Sequence, residues 1–117
     1  MGKLSTHVLD ITQGKPGAGV SIELYRLDGG ARTLLRNTCT NLDGRCDAPL
    51  LQGEEMRAGQ YELVFGAGDY FTSQGVAQAE PRFIDRVTIA FGIAEPDQNY
   101  HVPLVVSPWA YSTYRGS

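Results

Sequence analysis

No cluster of basic residues occurs anywhere along this chain: ten lysines and arginines stand against thirteen aspartates and glutamates, a formal charge of −3. Nucleic acid and anionic membrane surfaces are therefore poor partners, because both are recognised through concentrated positive charge. A long apolar run is missing as well. The longest uncharged, apolar-rich stretch, His101 to Tyr114, carries two prolines and several hydroxyl side chains and is too short to cross a bilayer. The first residues, Met1-Gly2-Lys3-Leu4-Ser5-Thr6-His7, hold no apolar core of signal-peptide length and pass directly into a strand-like pattern. The expectation is a chain that begins here and works in the cytoplasm. Met1-Gly2 with Thr6 fits a loose myristoylation pattern, but Leu4 already reads as structural, so lipidation is not expected.

Cysteine and histidine are equally scarce, two of each. Cys39 and Cys46 are too few and too widely spaced for a zinc knuckle or a redox C-x-x-C, and a chain without an export signal keeps its thiols reduced by default. They flank a turn, so spacing alone leaves a cross-strand disulfide under oxidising conditions open. His7 and His101 show no H-x-H or H-E-x-x-H spacing, which makes zinc a weak alternative. The serines lack a G-x-S-x-G elbow, which disfavours a Ser-His-Asp hydrolase. Gly17-Ala18-Gly19 and Gly66-Ala67-Gly68 are incomplete as phosphate loops and read as turns. No metal, nucleotide or other cofactor is implied.

What the chain does have is an ordinary globular balance, 42% hydrophobic and 20% charged over 117 residues, enough for one packed domain spanning residues 1–117. Fourteen glycines and six prolines punctuate runs that alternate with period two, the rhythm of an all-β protein. Strands are predicted over Leu4 to Ile11, Val20 to Leu27, Arg32 to Thr40, Arg45 to Asp47, Gly59 to Phe65, Phe83 to Phe91, His101 to Val106 and Trp109 to Tyr114. Val20, Ile22 and Leu24 share one face of the cleanest of them. Leu50 to Ala58 reads as a loop, and Asp69 is placed to cap one short helix running to Gln78. Seven or eight short strands with one helix match a Greek-key β-sandwich.

Few residues here carry chemistry. His7 shares a strand face with Ser5 and Leu9, while Thr6, Val8 and Asp10 point the other way. Each imidazole reads either as a structural side chain or, jointly with the other, as an acid–base pair, since imidazole titrates near neutrality unperturbed. Arg45 follows the hairpin-type turn Asp43-Gly44, which would aim a guanidinium near a strand end or leave it solvated. The C-terminal run Trp109 to Ser117 lacks the charged character of a frayed tail. It reads as docked, with Trp109 sealing the sandwich and Tyr111, Thr113 and Arg115 sharing one face that could meet a small planar ligand.

Four segments, in order, resemble the transthyretin-like 5-hydroxyisourate hydrolases: Leu4-Ser5-Thr6-His7-Val8-Leu9-Asp10, Asp43-Gly44-Arg45-Cys46, His101-Val102-Pro103-Leu104 with Ser107-Pro108, and the closing Tyr114-Arg115-Gly116-Ser117. The resemblance covers essentially the whole chain. It departs from the family's common pattern at Gly66, Thr88, Ala90 and Asn99, none of them a motif residue. The resemblance implies a transthyretin-like sandwich that hydrolyses 5-hydroxyisourate to 2-oxo-4-hydroxy-4-carboxy-5-ureidoimidazoline in urate degradation. His7, Arg45 and His101 would then be catalytic, and His7, Arg45, Tyr114, Arg115, Gly116 and Ser117 would bind substrate. It also implies a homotetramer, a dimer of dimers with its sites at the dimer–dimer groove, needing no cofactor. A transthyretin-like carrier without turnover is the alternative.

Overall fold

The computed structural model describes residues 2–117. Eleven short strands follow one another: β1 (Lys3–Ser5), β2 (Val8–Asp10), β3 (Lys15–Pro16), β4 (Ser21–Asp28), β5 (Ala31–Cys39), β6 (Leu51–Gln52), β7 (Gly59–Phe65), β8 (Val87–Ile93), β9 (Tyr100–His101), β10 (Leu104–Val106) and β11 (Tyr111–Ser112). One α-helix, α1 (Ala67–Ser73), and a single 3-10 turn, Gly53–Glu55, complete the described residues. Strands β5-β4-β7-β8 form one antiparallel sheet. Opposite it lie the orders β11-β10-β2-β3 and β6-β1-β9, so an all-β sandwich is observed.

The first sheet is where period two is purest. Val20, Ile22 and Leu24 are buried, as are Tyr61, Leu63 and Phe65 on β7. Val87, Ile89 and Ile93 of β8 join them. Leu4, Val8, Leu104 and Val106 close the core from the other layer, with Phe71 of α1 over one end. The β4–β5 hairpin turns at Gly29-Gly30, where Gly29 takes φ +58° at no Cβ cost.

Several expected boundaries are corrected. The predicted strands Leu4 to Ile11 and His101 to Val106 are each split in two, β1/β2 and β9/β10. They run parallel side by side, Leu4↔Tyr100 and Ser5↔His101 in one piece, Val8↔Leu104 onward in the other. The Val102 and Leu104 N–H groups still donate to the Ser5 and His7 carbonyls at 2.9 and 2.8 Å, but the buried Thr6 hydroxyl takes up the Val102 carbonyl at 2.7 Å. Residues 45–47 form no strand; only Arg45 bridges, to His7. The predicted loop over 50–58 contains β6 and the 3-10 turn because Leu50, Leu51 and Met56 are buried.

Helix α1 begins at Ala67, not Asp69, with Gly66 as N-cap and no side-chain cap. Asp69 sits in the first turn and pairs instead with Arg82 at 2.8 Å. Arg82 also reaches Asp85 and Thr72, which holds residues 82–85 against the helix. Phe83 is consequently 77% exposed and β8 starts only at Val87. Of the predicted strand Trp109 to Tyr114, only Tyr111–Ser112 pairs with β10, and Trp109 is exposed rather than sealing the core. Cys39 and Cys46 are both free thiols.

Candidate active site

The interruption shared by β1/β2 and β9/β10 is also where the predicted functional side chains gather. His7 lies in the gap between β1 and β2, and its backbone bridges to Arg45. Its ring Nε2 is 2.9 Å from the carbonyl oxygen of Asp43. His101 ends β9, and its Nδ1 is 2.8 Å from the Ser5 hydroxyl. The period-two reading of the first segment therefore holds across the gap: Ser5, His7 and Leu9 are half-buried on one face, Thr6, Val8 and Asp10 buried on the other.

Arg45 reaches this place through a tight turn. The Asn41 N–H donates to the Arg45 carbonyl at 2.7 Å and the Gly44 N–H to the Asn41 carbonyl at 3.0 Å. Gly44 adopts φ +75° while its own carbonyl accepts from Val8 N–H at 2.8 Å. A Cβ there would stand only 2.5 Å from the Val8 carbonyl oxygen, so both conformation and space call for glycine.

His101 has its pKa pushed below the ordinary imidazole value, first by burial, then by the Arg45 guanidinium and by His7. Both causes beyond burial act through proximity, so His7, Arg45 and His101 form one electrostatic group. The imidazole of His101 is accordingly neutral at pH 7, ready to accept a proton. Cys46, beside Arg45, is half-buried and its thiol is pushed up by burial, by Cys39 and by Asp47, so it stays protonated and is no nucleophile at neutral pH. A cavity of about 190 Å³ opens here between Ser5, Arg45, Asp47 and Pro49. Among the described residues no group of three or more His, Cys, Asp and Glu is placed to hold a metal ion.

The tail closes the site from the other side. Gly116 bridges His101 through two backbone bonds, His101 N–H to Gly116 O at 3.1 Å and Gly116 N–H to His101 O at 2.8 Å. A Cβ on Gly116 would lie 3.2 Å from His101 Cβ and 3.5 Å from Tyr114 Cε1, so the tail backbone presses directly on the imidazole. The Thr113 hydroxyl donates to the Pro103 carbonyl at 2.7 Å. Tyr114 and Ser117 are exposed beside them. Arg115 goes elsewhere. Its guanidinium lies 4.3 Å over the Tyr100 ring and donates to Gln98 at 2.9 Å, while Tyr100 occupies the strand face opposite His101.

Ser5 and Asn41 are contributors to this site that the sequence reading assigned no role. Ser5 could have been found from its period-two spacing to His7. Asn41 could not, because its contacts depend on how the turn folds.

The chain matches the HIUase/transthyretin family over residues 4–116. The 5-hydroxyisourate hydrolase of Mesorhizobium japonicum is 64% identical over 116 residues, 99% of this chain and 93% of that protein. Among solved structures, Klebsiella pneumoniae 5-hydroxyisourate hydrolase superposes with TM-score 0.82 at 37% identity over the full length of both chains. Sea bream transthyretin in complex with thyroxine superposes with TM-score 0.86 at 25% identity, covering 97% of this chain and 94% of that one. No helix among the described residues is long and apolar enough to cross a membrane. With its histidines, arginine and C-terminal tail drawn together at one break in the sheet, the chain belongs to the HIUase/transthyretin family, among its hydrolases.

Proposed function

We propose that this chain hydrolyses 5-hydroxyisourate, opening the six-membered ring to give 2-oxo-4-hydroxy-4-carboxy-5-ureidoimidazoline, as a step in urate degradation. One observation carries the reading. Segments far apart in sequence, at residues 5–7, 41–46, 101 and 114–117, meet at a single interruption of the sheet, and they bring two imidazoles and a guanidinium into one electrostatic group. The relatives whose printed names carry this activity support the substrate.

In the proposed reaction one neutral imidazole takes a proton from water as the water oxygen bonds to a ring carbonyl carbon. The carbonyl becomes an oxyanion, which the forked guanidinium of Arg45 stabilises through two directional N–H donors. As the tetrahedral centre collapses, the C–N bond breaks and the leaving nitrogen takes a proton from the other imidazole, which enters the step as the imidazolium, so acid and base exchange states and the proton count closes. Tyr114, Gly116 and Ser117 line the substrate's place. The Arg115 contribution acts through the Tyr100 stack that anchors the tail.

Assembly belongs to the same reading. Strand β8 ends its sheet with one backbone edge unpaired, and Ile11, Trp109 and Tyr111 are exposed near the other layer's edge. Both features support pairing into a homotetramer, a dimer of dimers. Light scattering at micromolar concentration checks it, and a stable monomer would contradict it.

The likeness to sea bream transthyretin with thyroxine favours a second reading, a carrier that binds a small planar ligand without turnover. Ultraviolet absorbance after mixing urate with urate oxidase separates the two. A hydrolase shortens the life of the transient oxidised urate; a carrier leaves its decay unchanged.

A further inference from the structure

We infer that Asn41 is a positioning residue of this site, whose carboxamide shapes the 41–45 turn so that the Asp43 carbonyl fixes the tautomer of His7. The inference rests on the hydrolase reading and extends it to a residue that would touch no substrate. Besides the bond its carbonyl accepts from Gly44 N–H, four bonds converge on Asn41. Its Oδ1 accepts from Asp43 N–H at 2.9 Å and from Arg45 N–H at 3.2 Å, and its Nδ2 donates to Asp47 Oδ1 at 2.9 Å. Its own backbone N–H holds the Arg45 carbonyl at 2.7 Å.

The carboxamide thereby holds the peptides that precede Asp43 and follow Gly44, and so frames the peptide between them, whose Gly44 N–H the Asn41 carbonyl accepts at 3.0 Å. The framed peptide presents the Asp43 carbonyl to His7 Nε2 at 2.9 Å, and the one after Gly44 begins the residue that carries the guanidinium. A carbonyl oxygen only accepts, so Nε2 must bear the hydrogen. In the neutral ring the lone pair then resides on Nδ1, which becomes the nitrogen able to take a proton from water. His101 has no such lock. Its Nδ1 faces a serine hydroxyl, which donates or accepts equally well. The turn thus distinguishes the two imidazoles, and Asn41 is the side chain that holds the turn.

Asparagine is the side chain that meets both demands, since it accepts from two N–H groups and donates to a carboxylate at once. Aspartate at 41 would keep the acceptor but set a second carboxylate against Asp47. Alanine would lose both functions.

The test uses the full-length protein, unsubstituted and as Asn41→Ala and Asn41→Asp. Multiple-bond nitrogen–proton NMR of the imidazoles at about pH 8.5, well above the ordinary imidazole range, reads the tautomers. His7 is expected as the Nε2–H form in the unsubstituted protein and as a mixture in Asn41→Ala. With the rings misplaced, kcat should fall roughly 10- to 100-fold with a much smaller change in KM. Asn41→Asp should restore part of both signals. A His7 ring found as Nδ1–H in the unsubstituted protein overturns the inference without any variant being needed. So does an Asn41→Ala protein that keeps its kcat, or one that loses it with the His7 tautomer unchanged. If the unsubstituted protein fails to hydrolyse the substrate, the hydrolase reading falls separately, and the NMR still decides what the turn does to His7.

Discussion

Strands β4 and β7 pair through six consecutive positions, Ile22↔Phe65 to Leu27↔Gln60, without a break. The strands that carry the site, β1 beside β9 and β2 beside β10, pair for only two and three positions before Thr6-His7 and Val102-Pro103 interrupt them. Strands β4 and β7 are flanked on both sides, so the ladders absorb their backbone groups and the core their inward side chains, and little is left for chemistry. At the interruption, backbone groups must find other partners. They find the Thr6 hydroxyl, the tail at Gly116 and the turn at Gly44. The same gap that costs ladder bonds leaves His7 and His101 half-buried and reachable. One region is built for stability, the other for reactivity, and substitutions should separate them.

The largest effect is expected from deleting residues 114–117. That removes both backbone bonds to His101 and the Tyr100 clamp, so turnover should fall to background while the assembly state stays that of the full-length protein. Retained activity would return the tail to a purely structural role. Gly116→Val should reproduce much of the loss, because its Cβ falls 3.2 Å from His101 Cβ and its branches press further. Next come His7→Asn and His101→Asn, each expected to lower kcat ~10²–10⁴-fold with little change in thermal midpoint. Near-normal turnover in both would make the imidazoles structural.

The opposite pattern is expected from the continuous sheet. Phe65→Ala empties a fully buried site and should destabilise by ~3–5 kcal/mol in denaturant unfolding, with kcat per folded molecule close to the unsubstituted value. A kcat loss as large as that of the histidine variants would erase the division between the two regions.

The smallest effect is a shift along the pH axis. The pKa of His101 is held below its ordinary value of 6.5, so the neutral ring persists as pH falls and the acid limb that reports this ring should lie below the usual imidazole range. The Arg45 charge is one cause, so Arg45→Met should move that acid limb towards higher pH as well as lowering the rate. An acid limb that stays put would mean that burial and His7 set it without Arg45. Arg45→Lys keeps the charge and should leave the limb near its place while losing the fork geometry and part of the rate.

The regular sheet was legible residue by residue. Gly59 to Phe65 is β7 as predicted, and Val20 to Leu27 and Arg32 to Thr40 are each displaced by one residue, because alternating burial is written into sequence as alternating polarity. The splits at Thr6-His7 and Val102-Pro103 were not legible. Either segment alone reads as one strand; only when the two lie side by side does the Thr6 hydroxyl take the Val102 carbonyl out of the shared ladder. Phe83 misled for a related reason. Its segment alternates correctly, but Arg82 is drawn to Asp69, Thr72 and Asp85, and three side-chain bonds outweigh the pattern.

By itself, then, the sequence determined the fold class, the polar and apolar faces of the long strands, and which residue types were available for acid–base and oxyanion chemistry. It held His7, Arg45, His101 and the closing tetrapeptide as separate motifs, since one-dimensional spacing carries no distance between segments a hundred residues apart. Tertiary structure decided that they meet, that Arg115 turns to Tyr100, and that the Asp43 carbonyl faces His7. The reason is physical: hydrogen-bond direction and charge proximity exist only once both partners are placed, whereas burial leaves its mark on each residue alone.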